Sequence, residues 1–430
     1  MLVDRRASTM ILNLIALLSL VGLFAACGGS GGNTSSNAST ITLWSRDSDA
    51  ALVQSVAKAY NSSHTTPQLK VNIIPAGQFV SKFGTAVASG DVPDLVATDL
   101  VYSPYFASTN ELADMTSFAR SLSYFDKLDQ AHMRLTTYQG KIYGLPFSTE
   151  GSVLIYNKGL FRQAGLDPNK PPTTWAEVEA DAKKITALGN GIHGYYFSGA
   201  GAGGMAFTFL PYIWANGGDV LNANGTQATL ASSPPVKTAL QFYNRLWTEG
   251  LVDPGAKVDT GTNFATGFDA GKIGIQGNGA FAIATLKQQY PNIDFGVTPI
   301  PGQNVGSSSF AGGDNISIPT GSQHVSQAED FLKWYLSDQT QVEVLAKNNN
   351  IPVRTDLISN QYSQQDPRYI TVSQTEAKGK TPYSVHYNEL FNDPSGPWGA
   401  MLQQAIFSGQ IDQAITTAQQ RFTQILSSSS

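Results

Sequence analysis

Thr40-Ile-Thr-Leu-Trp44, Lys70-Val-Asn-Ile-Ile74 and Leu95-Val-Ala-Thr98 are three short apolar runs, and the segments between them follow a different period. After Asp47-Ser-Asp49, the residues Leu52, Val53, Val56, Ala57 and Tyr60 recur at the spacing of one helical face. Phe79 to Ser89 predicts a second, shorter helix, and Asp91-Val-Pro-Asp94 leads into the third strand. Strands alternating with helices in this way predict a parallel sheet with crossover helices, an α/β fold.

The alternation continues along the chain. Thr174 with Glu177 three residues later is a capping box, and the helix it opens carries Val178, Ala182, Ile185 and Leu188 before Gly189 stops it. Pro234-Pro235 opens another helix with Leu240, Tyr243 and Leu246 inward and Gly250 at its end. Ser326 precedes a helix bearing Phe331, Leu332, Tyr335 and Leu336. The last helix starts at Ile411, with Ile415, Ala418, Phe422 and Ile425 on one side. No repeat of fixed period occurs.

The first residues carry a separate message. Arg5 and Arg6 form a basic start, and an apolar run follows from Met10 to Ala26. That run is short for a membrane span, which needs about 20 residues, and fits an export signal. It ends Leu23-Phe24-Ala25-Ala26-Cys27-Gly28, which resembles the bacterial lipobox, although Phe24 stands where such signals usually have Leu. Cys27 is the only cysteine, so no internal disulfide is possible. The expectation is a signal at 1–26, a lipid on Cys27, and a flexible glycine-serine tether at 27–39.

Composition narrows the partners. Charged residues make up 14% of the chain and the net charge is −5, against about 25% charged residues in an average soluble protein. An acidic, weakly charged chain lacks the basic footprint that nucleic acid demands. Seventeen Tyr and six Trp supply flat faces with polar edges, which suit sugar rings as well as cores.

Several segments, in order, resemble the extracellular solute-binding proteins of ABC importers, family 1, the group of maltose-binding protein. They include Val92-Pro-Asp-Leu-Val96, Gly140-Lys-Ile-Tyr-Gly-Leu-Pro146, Leu154-Ile-Tyr-Asn-Lys158 and Phe161-Arg-Gln-Ala-Gly-Leu166. Further on stand Pro172-Thr-Thr-Trp175, Trp214-Ala-Asn-Gly-Gly218, Phe268-Asp-Ala-Gly-Lys272, Ala328-Glu-Asp-Phe-Leu332 and Ile351-Pro-Val-Arg354. The resemblance implies a two-lobed, type II periplasmic-binding-protein-like fold with discontinuous lobes and hinge crossings. These crossings are expected near Phe147–Gly151, near Phe310–Asp314 and near Arg354. Lobe one is expected at 40–148 and 311–354, lobe two at 149–310 and 355–426. The implied function is capture of a sugar or oligosaccharide in the interlobe cleft and delivery to permease subunits by a lipid-anchored, monomeric protein outside the cytoplasm, with no enzymatic activity and no cofactor.

Ligands of open α/β sheets lie at the C-terminal ends of strands. That rule selects Arg46 and Asp47 after the first strand, and Thr98 and Asp99 after the third, polar groups that can bond sugar hydroxyls. Asp47 has an alternative role as a helix cap. Glu150 is a lone charge among small and apolar neighbours, where relatives of the family often place a cleft acid. Trp214 follows an apolar segment and is a second-rank candidate, as are Tyr195, Tyr196 and Phe197. Asn278 and Phe281 belong to Gln276-Gly-Asn-Gly-Ala-Phe281, where the family has a turn facing the ligand. Asp314 sits in a similar turn, Gly312-Gly-Asp-Asn315. Trp398 matches a stacking aromatic of carbohydrate-binding relatives, and Arg354 is expected at the hinge or the cleft edge.

Rival functions find less support. Asp99 and Glu150 form the kind of carboxylate pair that glycoside hydrolysis uses, but the rest of the chain does not resemble a hydrolase. Gly28-Gly-Ser-Gly-Gly32 matches G-x-S-x-G inside a linker, where no nucleophile elbow can form. His64, His132, His193, His324 and His386 are scattered without metal-site spacing. A polyamine would want several cleft acids among aromatics, and a phosphorylated polyol would want cationic groups or helix N-termini. One arginine among acids, amides and aromatics favours a neutral polyol.

Overall fold

The computed structural model describes residues 40–428. The expected signal, the Cys27 lipidation site and the tether lie outside the described residues. Strand β1 (Thr40–Arg46) leads through a short turn into helix α1 (Ala50–Ser63), followed by β2 (Gln68–Ile74), α2 (Ala76–Ser89) and β3 (Leu95–Asp99). The helical face read from the sequence is the buried one: Leu52, Val53, Val56 and Tyr60, each contributing roughly 1.5–3 kcal/mol of burial. Helix α2 starts three residues earlier than the apolar pattern indicates and stops at Gly90, whose φ of 77° a side chain would disfavour.

β1 pairs in parallel with β2 and β3, as the crossover pattern predicts. The sheet as a whole is mixed. Beyond β3 come β4 (Leu145–Asn157), β5 (His193–Tyr196), β6 (Ile273–Gly279), β7 (Phe295–Thr298) and β8 (Ala311–Ser317). Their order is β2-β1-β3-β8-β4-β6-β5, with β7 also on β4. β8 runs antiparallel to both β3 and β4, and β4 antiparallel to β6 and β7. Only β5 and β6 restore parallel pairing.

The 13-residue β4 gives the molecule its character. Its first half pairs with β8, with Ser148 opposite Asp314 and Gly151 opposite Ala311, and its second half pairs with β6, with Ser152 opposite Gly279. Gly313 makes the β4–β8 approach possible. Its φ is 114°, and a Cβ there would lie 2.0 Å from the Ser148 carbonyl oxygen.

Two large apolar cores lie on either side of this ribbon. One is built from residues between Ile41 and Phe147 together with Ile316 to Val353. The other takes Val153 to Phe310 and Ile351 to Phe422, with Leu100, Val101 and Leu135 joining it. The second core contains α3 (Trp175–Thr186), whose Thr174–Glu177 capping box forms as expected, and α4 (Ala202–Trp214). It also contains α5 (Pro234–Thr248), α6 (Phe281–Gln289), α7 (Pro397–Ser408) and α8 (Ile411–Ser427).

Candidate functional site

A cavity of about 610 Å³ opens between the two cores, with the β4–β8 ribbon as its floor. Ser148, Glu150, Gly312, Gly313 and Asp314 come from that ribbon. Arg46 and Asp99, the last residues of β1 and β3, form one wall with Asp49. Phe207 of α4, Phe281 at the start of α6, Phe310, Tyr387 and Asn392 form the other. The size is that of a small-molecule site.

The charged wall is one guanidinium among three carboxylates. Asp99 and Asp314 stand opposite each other in the β3–β8 ladder. Arg46 bonds Asp314 through Nε at 3.2 Å and through Nη2, and Asp99 through Nη1 at 3.1 Å. Asp49 lies 3.9 Å from Nη2. Burial works to lower the Arg46 pKa, but Asp314 and Asp99 outweigh it and hold the group above its ordinary value. Burial pushes Asp314 up to about 7 against the pull of Arg46. Asp99 is also raised by burial, with Arg46 opposing. The cluster therefore sets three carboxyl groups around a single cation, with burial favouring the protonated form of Asp314 and Asp99.

Glu150 faces the cavity without a cationic partner among the described residues. Its Oε2 accepts a 3.4 Å bond from the Phe281 backbone N–H. Burial, reinforced by the charge of Asp49, pushes its carboxyl up to about 8. The Phe281 ring beside it is 48% exposed. Across the cleft, the Tyr102 hydroxyl donates to Asn388 Oδ1 at 3.4 Å and accepts from Asn392 Nδ2 at 3.2 Å.

Of the residues selected from the sequence, Arg46, Asp99, Glu150, Phe281 and Asp314 line this cavity. The other five do not. Asp47 is exposed and accepts from the Ala76 N–H, so it caps α2 rather than its own helix. Thr98 is buried, on the strand face opposite its neighbour Asp99. Asn278 is buried in β6, where its side-chain oxygen accepts from the Gly279 N–H. Trp214 ends α4, while Gly203 at the start of that helix reaches the cavity. Its indole N–H donates to Asp219 at 3.1 Å.

Trp398 is the largest correction. It is fully buried in the second core, with Phe391 at 5.5 Å and Phe209 at 6.0 Å. As the second residue of α7, it is turned inward by the amphipathicity of that helix. Tyr195 is core as well, its hydroxyl bonded to those of Tyr212 and Tyr243. Arg354 pairs with Asp338 and Asp356 and stacks on Tyr124 at 4.4 Å, away from the cavity lining.

The sequence reading missed Asp49, Phe207, Phe310, Tyr387 and Asn392. Asp49 had a signal, the second acid of Asp47-Ser-Asp49 on the turn after β1. Tyr387 and Asn392 had none, because a π-helical turn at Asn388–Asn392 brings them in.

Among the described residues one group could hold a metal by composition: Asp129, His132 and Glu376, all buried. Both ring nitrogens of His132 already have partners, Asn315 Oδ1 at 2.8 Å and the Gly312 carbonyl at 3.1 Å. Asp129 caps the helix Gln130–Thr136. The group reads as a buried polar network behind the ribbon.

The family described as bacterial extracellular solute-binding protein matches residues 44–342. The chain belongs to this family. This solute-binding protein is 25% identical over 365 residues to the diacetylchitobiose binding protein of Streptomyces coelicolor, covering 81% of this chain and 83% of the relative. It is 26% identical over 370 residues to a maltooligosaccharide ABC transporter solute-binding lipoprotein of Streptococcus pneumoniae, covering 81% of each. An ABC transporter solute binding protein from Thermotoga lettingae, solved with α-D-tagatose, shares the fold with a TM-score of 0.79. Its identity is 24%, and the match covers 90% of this chain and 99% of that one. The fold of this solute-binding protein is therefore the type II periplasmic-binding fold. Among the described residues no helix is long and apolar enough to cross a membrane.

Proposed function

We propose that this solute-binding protein captures a neutral carbohydrate in the cleft and delivers it to the permease of an ABC importer, without chemical turnover. The observation that carries the reading is the pairing of the half-exposed Phe281 ring with the lone Glu150 carboxyl, facing the Arg46–Asp99–Asp314 cluster. A ring that stacks and polar groups that accept and donate are what a sugar presents itself to. The printed names of the relatives, diacetylchitobiose and maltooligosaccharide binders, agree with it. The excess of carboxylates opposes a phosphorylated polyol, since the one arginine is already occupied by three acids.

Residues 40–148 with 311–354, and 149–310 with 355–426, act as two lobes that close over the ligand about the β4–β8 ribbon. Arg46, Asp99, Glu150, Phe281 and Asp314 contact the solute. The protein works as a monomer, held outside the cytoplasm by a lipid on Cys27. Mass spectrometry of the protein from membranes, with Cys27→Ala as control, tests the anchor. An unmodified Cys27 would leave capture intact and remove the anchoring. A thermal-shift panel of saccharides, polyamines and phosphoesters tests the ligand class, because ligand raises apparent stability. A shift with polyamines or phosphoesters alone would overturn the sugar reading.

A further inference from the structure

The cleft gathers carboxyl groups, and a separate face of the molecule gathers cations. A cavity of about 470 Å³ sets Arg134, Lys378 and Lys380 against one acid, Asp219. A second, of about 760 Å³, adjoins it through Gln130, Arg134, Ala223 and Tyr383. It adds Arg120, and no carboxylate lines it. Neither cavity shares a residue with the cleft. Four cations against one acid run counter to the chain as a whole, which has 32 acidic and 27 basic residues.

Arg134, common to both cavities, is held in place but not neutralised. Its Nη1 donates to the Thr381 carbonyl at 2.9 Å and its Nη2 to the Ala223 carbonyl at 2.8 Å. The guanidinium also lies 5.6 Å from the centre of the Tyr383 ring. Two of its five N–H donors are thereby used, and three remain. Among the described residues it forms no ion pair, and burial lowers its pKa with Asp219 opposing only in part. Asp219 is itself engaged, accepting from the Trp214 indole and lying 3.9 Å from Lys380 Nζ.

The two lysines are displayed by a fixed backbone. The Lys380 N–H donates to the Ser309 carbonyl, and the Ala311 N–H to the Lys380 carbonyl, both at 3.0 Å. Between the lysines, a Cβ on Gly379 would lie 2.7 Å from the Glu376 carbonyl oxygen. The loop is thus pinned to the start of β8, and Lys378 stands on it without an ion pair among the described residues.

We infer that this face is a second ligand site, for a small phosphorylated molecule whose phosphoryl oxygens take the free N–H groups of Arg134 and the ammonium groups of Lys378 and Lys380. A guanidinium fork matches phosphate geometry, and the lysines add point charges. The site does not depend on the cleft ligand being a sugar. Arg134 belongs to the first of the two proposed lobes and the lysines to the second, so a bound anion bridges them.

Titration calorimetry with pyrophosphate and inorganic phosphate, at low ionic strength, tests the site. One pyrophosphate should bind per chain, more tightly than phosphate, and added sodium chloride should weaken it. Arg134→Gln should weaken pyrophosphate about tenfold, the worth of a charged hydrogen bond. Lys378→Ala, at an exposed position, should weaken it about threefold without disturbing the fold. Glu150→Gln should leave it unchanged. No binding, equal affinity in both cation variants, or tighter binding in Glu150→Gln, which would place the anion in the cleft, would each overturn the site. The bridging has its own test, which rests on the sugar reading. The Tyr102 bonds across the cleft exist in the same arrangement of lobes, so saturating pyrophosphate should tighten the captured saccharide, and the saccharide should tighten pyrophosphate by the same factor. Equal saccharide affinity with and without pyrophosphate would overturn the bridging.

Discussion

Asp99 and Asp314 face each other directly across the antiparallel pairing of β3 and β8. Two like charges so placed repel, and Asp314 is fully buried besides. The pairing is tolerated because Arg46, ending the adjacent strand, bonds both carboxylates. The floor of the cleft is thus a charged cluster held together by one side chain.

Arg46→Ala should destabilise the protein by about 3–5 kcal/mol, since it leaves a buried carboxylate without its counter-charge. Denaturant unfolding measures the loss. Adding Asp314→Asn to Arg46→Ala should recover part of it. A double variant no more stable than Arg46→Ala would mean that the ion pair is not the origin of the effect.

Glu150 and Asp314 hold their protons at about 8 and about 7, well above ordinary carboxyls. The folded state therefore binds protons that the unfolded state releases, so the contribution of these two groups to ligand-free stability should be greatest below about pH 4 and fall as pH rises to 8. Glu150→Gln should flatten that fall in calorimetric Tm values taken at pH 5, 6.5 and 8. An unchanged slope would place the Glu150 carboxyl in ordinary water.

Trp398→Ala should cost about 3–5 kcal/mol through the cavity it leaves in the second core, with the affinity of the folded protein for sugar unchanged. Calorimetric binding below the lowered Tm separates the two. A large loss of affinity without loss of stability would return Trp398 to the cleft.

Phe281→Ala should have the opposite signature. Its ring is half exposed, so stability should move by less than about 1 kcal/mol, while lost stacking worth roughly 1 kcal/mol should weaken the sugar about fivefold. Equal affinity in the variant would remove the ring from the binding surface.

The contrast between Phe281 and Trp398 shows where sequence reading stops. Both are aromatics at the start of a helix. α6 turns its first residue, Phe281, to the cleft and α7 buries its second, Trp398, and that choice depends on which neighbouring elements cover which face. Arg46 and Asp99 were legible because strand ends are where open sheets bind ligands. Thr98 failed by one residue, since alternation along a strand sends neighbours to opposite faces.

By itself the sequence determined the local elements: the helical faces of α1, α3 and α5, and the Thr174 capping box. These follow from periodicities and capping chemistry that act over a few residues. Only the tertiary structure decided the mixed pairing of β8 between β3 and β4, the Asp99–Asp314 juxtaposition, and the arrival of Tyr387 and Asn392. Those depend on segments more than about 150 residues apart meeting at one ribbon, and no short-range pattern records which strand will pair with which.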